Sequence, residues 1–210
     1  MDLWGNEDWW DREAEEKKPP EETDYEGMER EFYHCRACPL RREGGHGPVL
    51  STGPCPAPLM LVGEGPGSVE DEQGLPLIGP SGQLLDRALL SVGITRDHVY
   101  VTNIVKCRPP QNRDPLPEEA QACLPWLRKQ FQLLQPKIVV CLGRVAAQQL
   151  IDPGYSVTHD HGKFVEKGGT LFMATYHPAA LLRYPANKPA VFGDFAALRK
   201  KICERCTHTY

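Results

Sequence analysis

Short apolar runs alternate with segments of helical periodicity along most of this chain. Each run is continuous and rich in aliphatic or β-branched side chains, a pattern typical of strands buried on both faces. The four predicted strands cover residues 59–62, 99–105, 138–142 and 171–175. Because such strands alternate with helices, the pattern predicts an α/β fold whose parallel sheet is covered by helices on both faces.

The segments between the strands carry helix signals. Apolar positions after Ser81 keep helical spacing up to Gly93, and Pro117 with two following glutamates marks another helix start. The predicted helices cover 82–92, 117–134, 144–150 and 190–203. Pro125 is expected to bend or break the second of them. Because ligands of such sheets bind beyond the carboxyl ends of the strands, the candidate site comprises four segments. These are 63–67, 103–108, 143–144 and 176–183.

The composition is that of an ordinary globular domain, with 210 residues, of which 40% are hydrophobic and 25% charged. No apolar run has the length of a membrane span and no secretory signal is recognisable, so a cytoplasmic protein is expected. In that compartment the eight cysteines indicate metal or redox chemistry before disulfides.

Charge is distributed unevenly. Residues 1–33 hold 13 acidic and 4 basic residues, and the rest of the chain holds 15 acidic and 20 basic ones. The expected division is a flexible acidic extension, a folded domain and a short tail, at residues 1–31, 32–206 and 207–210. Three tryptophans leave two alternatives open, a mobile tail or a segment that docks on the domain or on a protein partner: Trp4, Trp9 and Trp10. The mildly basic body is compatible with an anionic partner.

Four cysteines have a spacing that suits a metal or an iron–sulfur cluster. Cys35 and Cys38 form a C-x2-C pair, and Cys107 and Cys123 are separated by fifteen residues. A second C-x2-C pair near the end of the chain, at 203 and 206, offers a rival zinc site together with the first pair. Spacing alone leaves both arrangements open.

Three polar residues follow the ends of predicted strands. Glu64 lies in a glycine-rich turn that lacks the features of a phosphate-binding or dinucleotide-binding loop. Asn103 lies near the end of the second predicted strand, and His177 follows the fourth. Since parallel strands end at the same edge of the sheet, these side chains are candidates for one functional site.

Four ordered motifs resemble those of the iron–sulfur uracil-DNA glycosylases, and within that superfamily family 4. They are GEGPG after a strand, EDEQGLPLIGPSGQLLD, TNIVKCRPP and HPAALLR, and the resemblance covers about residues 32–204. It implies a three-layer α/β/α sandwich on a four-stranded parallel sheet. It also implies a structural [4Fe–4S] cluster whose four ligands are Cys35, Cys38, Cys107 and Cys123.

The resemblance implies a DNA repair glycosylase that hydrolyses the N-glycosidic bond of uracil and leaves an abasic site. The Asn103 amide suits uracil because it donates to O4 and accepts from N3–H, whereas cytosine presents the opposite pattern. Cleavage leaves negative charge on the base, which His177 and backbone N–H groups around Gly65 are expected to stabilise. By resemblance, Glu64 lines the site and Glu70 crowds the C5 side of the base, which excludes thymine.

The partner implied by the resemblance is uracil-containing DNA, bound by a monomer. Leu181 is the candidate wedge that fills the gap left by the extruded base, with Leu182 left open between wedge and packing. Arg183 is a candidate phosphate contact, as are Lys106, Arg108, Arg113 and Arg144. The chain departs from the family at Leu77, where an aromatic residue usually stacks on uracil. Leu77 is therefore expected to line the base pocket or to pack against the following helix.

Two other readings remain. One is a non-hydrolysing superfamily member that binds uracil-DNA or becomes attached to it; that branch carries a basic, histidine-bearing insertion after the second strand. Residues 111–115 contain no histidine, which favours turnover. The other is a DNA-binding scaffold with a decayed pocket, against which the intact Glu64, Asn103 and His177 argue.

Overall fold

A computed structural model describes residues 22–43 and 45–206 of the chain. Its centre is one sheet whose strands are ordered β1-β3-β2-β4-β6-β5. The inner four strands are parallel, and β1 and β5 pair antiparallel at the two edges. The strands are β1 Ser51–Thr52, β2 Leu59–Gly63, β3 Tyr100–Asn103, β4 Ile138–Leu142, β5 Phe164–Lys167 and β6 Thr170–Thr175.

The predicted α/β class is confirmed. The predicted number of strands is wrong, because the sheet has six strands and not four. The four inner strands coincide with the four apolar runs. The two edge strands lack such a run: β1 has two residues, and β5 is only partly buried. An edge strand faces solvent and needs no continuous apolar sequence, so it leaves little trace in the pattern of hydrophobic residues.

Nine α-helices surround the sheet in the described residues. They are α1 Glu22–Tyr33, α2 Leu40–Glu43, α3 Ser68–Gln73, α4 Pro80–Leu90, α5 Pro117–Leu134, α6 Arg144–Leu150, α7 Val157–Asp160, α8 Pro178–Arg183 and α9 Lys188–Arg205. Two helix predictions need correction. Helix α5 continues through Pro125, since its buried residues Leu124, Leu127 and Phe131 hold it against the sheet. Helix α4 begins at Pro80 after Gly79 rather than after Ser81.

Alternate residues of the buried strands pack into two separate cores, one on each face of the sheet. Met60 and Val62 of β2 pack with α5 and α6 on one face of the sheet. Leu59 and Leu61 pack with α4 and α9 on the other face. The fold is therefore a helix–sheet–helix sandwich, in which every inner strand is covered on both sides.

Helix α1 packs on the body of the fold. Its Tyr25 hydroxyl hydrogen-bonds the Tyr100 hydroxyl at 2.8 Å, and its Phe32 ring lies 5.4 Å from the ring of Trp126. The predicted boundary between residues 31 and 32 falls inside this helix. Residues 1–21 and 207–210, with the three N-terminal tryptophans, lie outside the described residues. The proposed extension and tail therefore stay predictions.

Among the described helices, none combines the length and the apolar character that a membrane crossing requires.

Candidate active site

The carboxyl ends of the inner strands open into a cavity of about 500 Å³. Gly63 and Asn103 are register partners at the ends of β2 and β3, and Leu142 and Thr175 are partners at the ends of β4 and β6. This register brings the segments that follow the four strands to one edge of the sheet. Seven of the predicted site residues line the cavity: Glu64, Gly65, Glu70, Leu77, Arg113, His177 and Arg183.

Asn103 is only 1% exposed and is not among the residues that line the cavity; it lies beside Gly63, as does the cavity-lining Leu77. Among the described residues, neither its amide nitrogen nor its amide oxygen has a hydrogen-bond partner. Gly63 permits this arrangement, since a Cβ there would lie 2.3 Å from the Asn103 Oδ1. A buried amide without partners is costly, so its free donor and acceptor mark a position for a polar ligand.

His177 is the N-cap residue of α8, and its Nδ1 accepts a hydrogen bond from the Ala179 backbone N–H at 3.1 Å. Burial lowers the pKa of His177 to about 4, with Glu70 opposing and Arg183 reinforcing the shift. The ring is therefore neutral near pH 7. With Nδ1 accepting, the proton is on Nε2 and is available to a ligand. Gly143, with φ of +92°, allows the ring's close approach, because a Cβ there would lie 2.8 Å from the His177 Cβ.

Two carboxyl groups line the cavity with different environments. Glu70 is buried, and its Oε1 accepts from the backbone N–H groups of Ile78 at 3.1 Å and Gly79 at 2.9 Å. Glu64 is at the turn after β2, where burial raises its pKa to about 7. The Asp114 carboxylate adds to that increase, and Arg144 and Arg183 oppose it. Glu70 is thus fixed by its loop, while the charge of Glu64 depends on its neighbours.

Gly65 brings the turn after β2 close to the segment after β3. A Cβ on Gly65 would lie 2.8 Å from the Val105 Cγ2. The backbone N–H of Val105 also donates to the Glu64 carbonyl at 3.0 Å. A larger residue at position 65 would therefore push the turn away from its neighbour.

Leu77 satisfies both sequence-based alternatives: it lines the cavity, and it packs in the same core as Leu84 and Leu85. Its backbone has φ of +51°, which a leucine rarely adopts. Arg96 donates to the carbonyl of Leu77 at 2.7 Å and to that of Pro76 at 2.5 Å. These bonds hold the loop in its left-handed conformation.

The predicted wedge needs correction. Leu181 is 1% exposed and belongs to the core beside α4 and α9, so its side chain is not presented to a duplex. Leu182 is 49% exposed on the same helix. The reason is the orientation of α8, which turns position 181 toward the sheet. Arg183 is exposed beside Leu182 and lines the cavity rim.

The other candidate phosphate contacts are largely engaged within the protein. Lys106 is 1% exposed, which rules it out as a phosphate contact. Arg113 forms two bonds to the Glu119 carboxylate, at 2.7 and 2.8 Å. Arg144 pairs with Asp114, and Arg108 donates to Asn112 at 2.7 Å. Of these four side chains, only that of Lys106 is buried.

The four cysteines that the resemblance assigns to a cluster meet on the α5 side of the sheet. Cys35, Cys38, Cys107 and Cys123 line one small cavity. Burial raises the pKa of the Cys107 thiol to about 12, and the other three thiols contribute in the same direction, which reflects their proximity. Two N–H groups point at these sulfurs: Trp126 Nε1 lies 3.2 Å from the Cys35 Sγ, and the Lys106 backbone nitrogen lies 3.3 Å from the Cys123 Sγ.

The second C-x2-C pair is far from this group. Cys206 packs against the core on the opposite face of the sheet, whereas Cys38 packs against the core beside α5. This excludes the zinc arrangement that joins the two pairs. In the described part of the chain no three or more His, Cys, Asp or Glu side chains converge on the position of a single ion. Four thiols around a cavity suit an iron–sulfur cluster better than a single zinc ion, because each thiolate of a cluster binds a different iron atom.

Asp114 lines the same cavity but was not anticipated as a site residue. Its approach to Glu64 depends on the path of the loop between β3 and α5, for which the sequence carries no periodic signal. The same is true of Arg96, whose guanidinium reaches back across nineteen residues to the Leu77 carbonyl.

Comparison with known proteins shows the family to which the chain belongs. A family model described as the uracil DNA glycosylase superfamily matches residues 50–199. The type-4 uracil-DNA glycosylase of Archaeoglobus fulgidus is 41% identical, over 84% of this chain and 90% of its own. The type-4 enzyme of Thermotoga maritima is 40% identical, over 73% of this chain and 81% of its own. A type-5 enzyme of Pyrobaculum aerophilum is 32% identical, over 71% and 75% respectively. The chain therefore belongs to the uracil-DNA glycosylase superfamily, with type-4 enzymes among its relatives.

Proposed function

We propose that this protein is a DNA repair enzyme that hydrolyses the N1–C1′ bond of deoxyuridine in DNA and leaves an abasic site. The observation that carries the proposal is the combination of a neutral His177 that lines the cavity with a buried, unpartnered Asn103 amide at the adjoining strand end, beside Gly63. The names of the type-4 relatives support the same activity.

Asn103 is the residue that reads the base. Uracil offers an acceptor at O4 and a donor at N3, and an amide side chain matches both at once. Cytosine reverses both positions and would leave the buried amide unpaired, which costs about 1–3 kcal/mol for each such group. The base reaches this depth only after it has been turned out of the duplex. Leu77 and Glu70 then bound the base, with Glu70 on its C5 side.

His177 stabilises the leaving base. When the N1–C1′ bond breaks, its electron pair stays on uracil, and the Nε2–H of a neutral imidazole donates to the O2 atom as that charge develops. Backbone N–H groups near Gly65 add to this stabilisation. The loss of one such donor typically costs about 2.7–4 kcal/mol in enzymes that stabilise an oxyanion.

The hydrolytic half of the reaction uses a dissociative step. The sugar becomes positively charged as uracil leaves, and the phosphates of the bound strand stabilise that charge. A water oxygen then bonds to C1′ and releases its proton to a carboxylate of the site. Glu64 is the carboxyl group that fits this role, since Gly65 has no side chain and Glu70 is committed to two backbone N–H groups.

DNA contacts come from α8. Arg183 binds a phosphate at the rim of the cavity, and the exposed Leu182 enters the gap that the extruded base leaves behind. We propose Leu182 for this role in place of Leu181.

We further propose that Cys35, Cys38, Cys107 and Cys123 bind a structural [4Fe–4S] cluster. The donor set fits, because four sulfurs share one cavity and receive N–H hydrogen bonds at two positions. Lys106 adds a second argument: burial lowers its pKa to about 7, and its Nζ makes three hydrogen bonds, all to neutral oxygens. A cluster with four thiolates is anionic and would compensate the charge of the Lys106 ammonium. A bound cluster would link the segment between α1 and α2 to the loop after β3 and to α5. The monomeric state and a protein partner for the extension remain predictions.

Excision of uracil from a labelled oligonucleotide tests the proposal. Wild-type protein should convert a uracil-containing strand to an alkali-cleavable one, with many turnovers per protein and no reaction of the thymine strand. Asn103→Ala and His177→Ala should each slow single-turnover excision by at least tenfold, while His159→Ala, on exposed α7, serves as the matched control. A protein–DNA adduct that survives denaturation, without turnover, would instead establish the non-hydrolysing alternative. Excision rates of the two site variants within a factor of two of wild type would refute the assigned roles.

A further inference from the structure

The buried carboxylate of Asp194 contacts two side chains beside the segment that carries His177. Asp194 lies on α9 and is 5% exposed. Its Oδ2 accepts a hydrogen bond from the Thr175 hydroxyl at 2.6 Å. Its two oxygens lie 2.9 and 3.0 Å from the Nδ1 of His161. The reaction as derived above assigns no role to Asp194 or to either of its partners.

Thr175 is the last residue of β6 and lies two residues before His177. Asp194 holds its hydroxyl, and its carbonyl accepts the backbone N–H of Gly143 at 2.8 Å. Gly143 is also the residue that allows the close approach of the His177 ring. The backbone that leads into His177 is therefore fixed both at a side chain and at a carbonyl.

His161 contacts the residue directly before His177. The centroid of the His161 ring lies 5.2 Å from that of the Tyr176 ring, with an angle of 48° between the two planes. The His161 side chain is 27% exposed and its Nδ1 is shared by both oxygens of Asp194. Asp194 thus fixes the ring that packs on Tyr176.

The turn before β5 admits the carboxylate because it contains a glycine. Gly162 has φ of +73°, and a Cβ there would lie 2.4 Å from the Asp194 Oδ1. Its backbone N–H donates to the Ala174 carbonyl at 2.9 Å, which joins the turn to β6. A side chain at position 162 would therefore push α9 away from this edge of the sheet.

A carboxylate at this place contributes little to the stability of the fold. The buried positions of α9 on either side of it are apolar: Val191, Phe195 and Leu198. Burial of a carboxylate costs free energy that its ion pair and hydrogen bonds largely offset, and apolar residues of similar volume often replace such groups without loss of stability. Asp194 does, however, hold two partners at fixed distances.

We propose that Asp194 is a positioning residue that fixes the His177 imidazole in the orientation from which its Nε2–H donates to the O2 atom of uracil. The inference rests on the proposed uracil hydrolysis. Through Thr175, Asp194 holds the backbone two residues before the histidine, and through His161 it holds the ring of Tyr176. The charge on O2 develops only as the N1–C1′ bond breaks, so loss of this orientation lowers the rate of cleavage and not the affinity for DNA.

Asp194→Ala should lower the maximal rate of single-turnover uracil excision by about 10- to 100-fold, the effect expected of a displaced reacting group, with the Kd for uracil-containing DNA nearly unchanged. Asp194→Asn should keep most of the rate, because its amide oxygen can still accept from the Thr175 hydroxyl. Asp97→Ala, at a side chain that is 78% exposed, is the matched control and should excise at the wild-type rate.

The His177→Ala background separates positioning from a general loss of structure. In that background Asp194→Ala should change the excision rate by less than about twofold, since the group that it positions is absent. If Asp194→Ala slowed excision by the same factor in both backgrounds, the inference would be overturned.

Thr175→Val repeats the comparison if Asp194→Ala does not fold, because valine keeps the volume of threonine and removes only the hydroxyl. It should slow excision by about three- to tenfold in the wild-type background and leave the His177→Ala rate unchanged. Equal factors in the two backgrounds would again overturn the inference.

The His177 imidazole gives a readout without substrate. Since its Nδ1 accepts the Ala179 N–H, NMR of the ring nitrogens near pH 7 should show one tautomer, protonated at Nε2, in the complete protein. Asp194→Ala should give mixed tautomers at His177 and leave the signals of exposed His159 unchanged. An unchanged His177 tautomer or an unchanged excision rate would overturn the inference and leave the glycosylase proposal intact. Failure of the wild-type protein to excise uracil would instead overturn the proposed function.

Discussion

The side-chain ammonium of Lys106 donates a hydrogen bond to the backbone carbonyl of Asn103, with an Nζ–O distance of 2.5 Å. The same ammonium donates to the Thr102 hydroxyl at 2.6 Å and to the Gln130 amide oxygen at 2.8 Å. The backbone N–H of Lys106 points at the Cys123 sulfur. One buried residue therefore connects the four-cysteine cavity with Asn103, the residue that we propose reads the base.

Lys106→Met tests the importance of this connection. Methionine fills a similar volume but donates no hydrogen bond, so the variant loses all three side-chain bonds in a buried environment. We expect the free energy of unfolding to fall by about 1–3 kcal/mol for each acceptor left unpaired, measured by urea titration of the purified holoprotein. Lys200→Met is the matched control, because Lys200 is an exposed residue of α9. Equal urea midpoints for the two variants would contradict a structural role of the Lys106 network.

The cysteine assignment predicts a difference between buried and exposed thiols. Cys107→Ser should lose iron and sulfide, visible colour and solubility, since ligation of a cluster contributes to the stability of the fold. Cys203→Ser should keep all of them, because Cys203 is exposed on the last turns of α9. Iron and acid-labile sulfide per chain, measured on freshly purified protein, check this. Colourless, active wild-type protein with one zinc per chain would show that the assignment is wrong.

The sequence correctly predicts those parts of the fold in which a strand is buried on both faces. The inner strands are apolar throughout, as at Ile138–Leu142, because both of their faces are covered. Their carboxyl ends then determine which segments meet, so the sequence predicts that Glu64, Asn103 and His177 lie at one edge of the sheet. The antiparallel edge strand Phe164–Lys167 has one partly covered face and gave no comparable signal.

Side-chain orientation beyond the strand ends was not predictable in the same way. Leu181 and Leu182 are equivalent in sequence, and only the packing of α8 against α4 and α9 buries the first and exposes the second. The position of Asp114 at the cavity likewise depends on a loop fixed by Arg113 and Glu119. Such contacts arise from tertiary structure, which periodicity along the chain does not encode.

The low pKa of His177 predicts how stability depends on pH. The folded-state pKa of about 4 lies below the ordinary value of 6.5, so the unfolded chain binds the proton more readily. The folded protein should therefore lose stability as the pH falls from about 6.5 to about 4, with no further loss from this group below that range. His177→Gln, which cannot take up the proton, should flatten this part of the curve. Urea midpoints between pH 4 and 7.5 check the prediction, and identical slopes for both proteins would contradict it.

Leu77 lines the proposed base pocket, and Arg96 holds its backbone in place. The Leu77 side chain is 4% exposed, and one of its methyl groups, Cδ1, would lie 3.5 Å from a Cβ added at Gly63, beside Asn103. Its left-handed backbone is held by the Arg96 guanidinium, which also pairs with Asp86 at 3.0 Å. The position of Leu77 thus depends on the Arg96 guanidinium, although we propose no contact between Arg96 and the base.

Leu77→Ala and Arg96→Gln should therefore weaken uracil recognition through different causes. Leu77→Ala leaves a space beside the base, and Arg96→Gln frees two carbonyl groups and lets the left-handed residue relax. Both should raise KM for uracil-containing DNA more than they lower kcat, since they affect the fit of the base before any bond breaks. Leu77→Phe should lower the melting temperature, because extra volume in a filled core costs about 1–3 kcal/mol. Arg87→Gln, an exposed change on α4, is the matched control for Arg96. A Leu77→Phe variant that excises faster than wild type at an unchanged melting temperature would mean that the base, and not the core, occupies the space beyond Leu77.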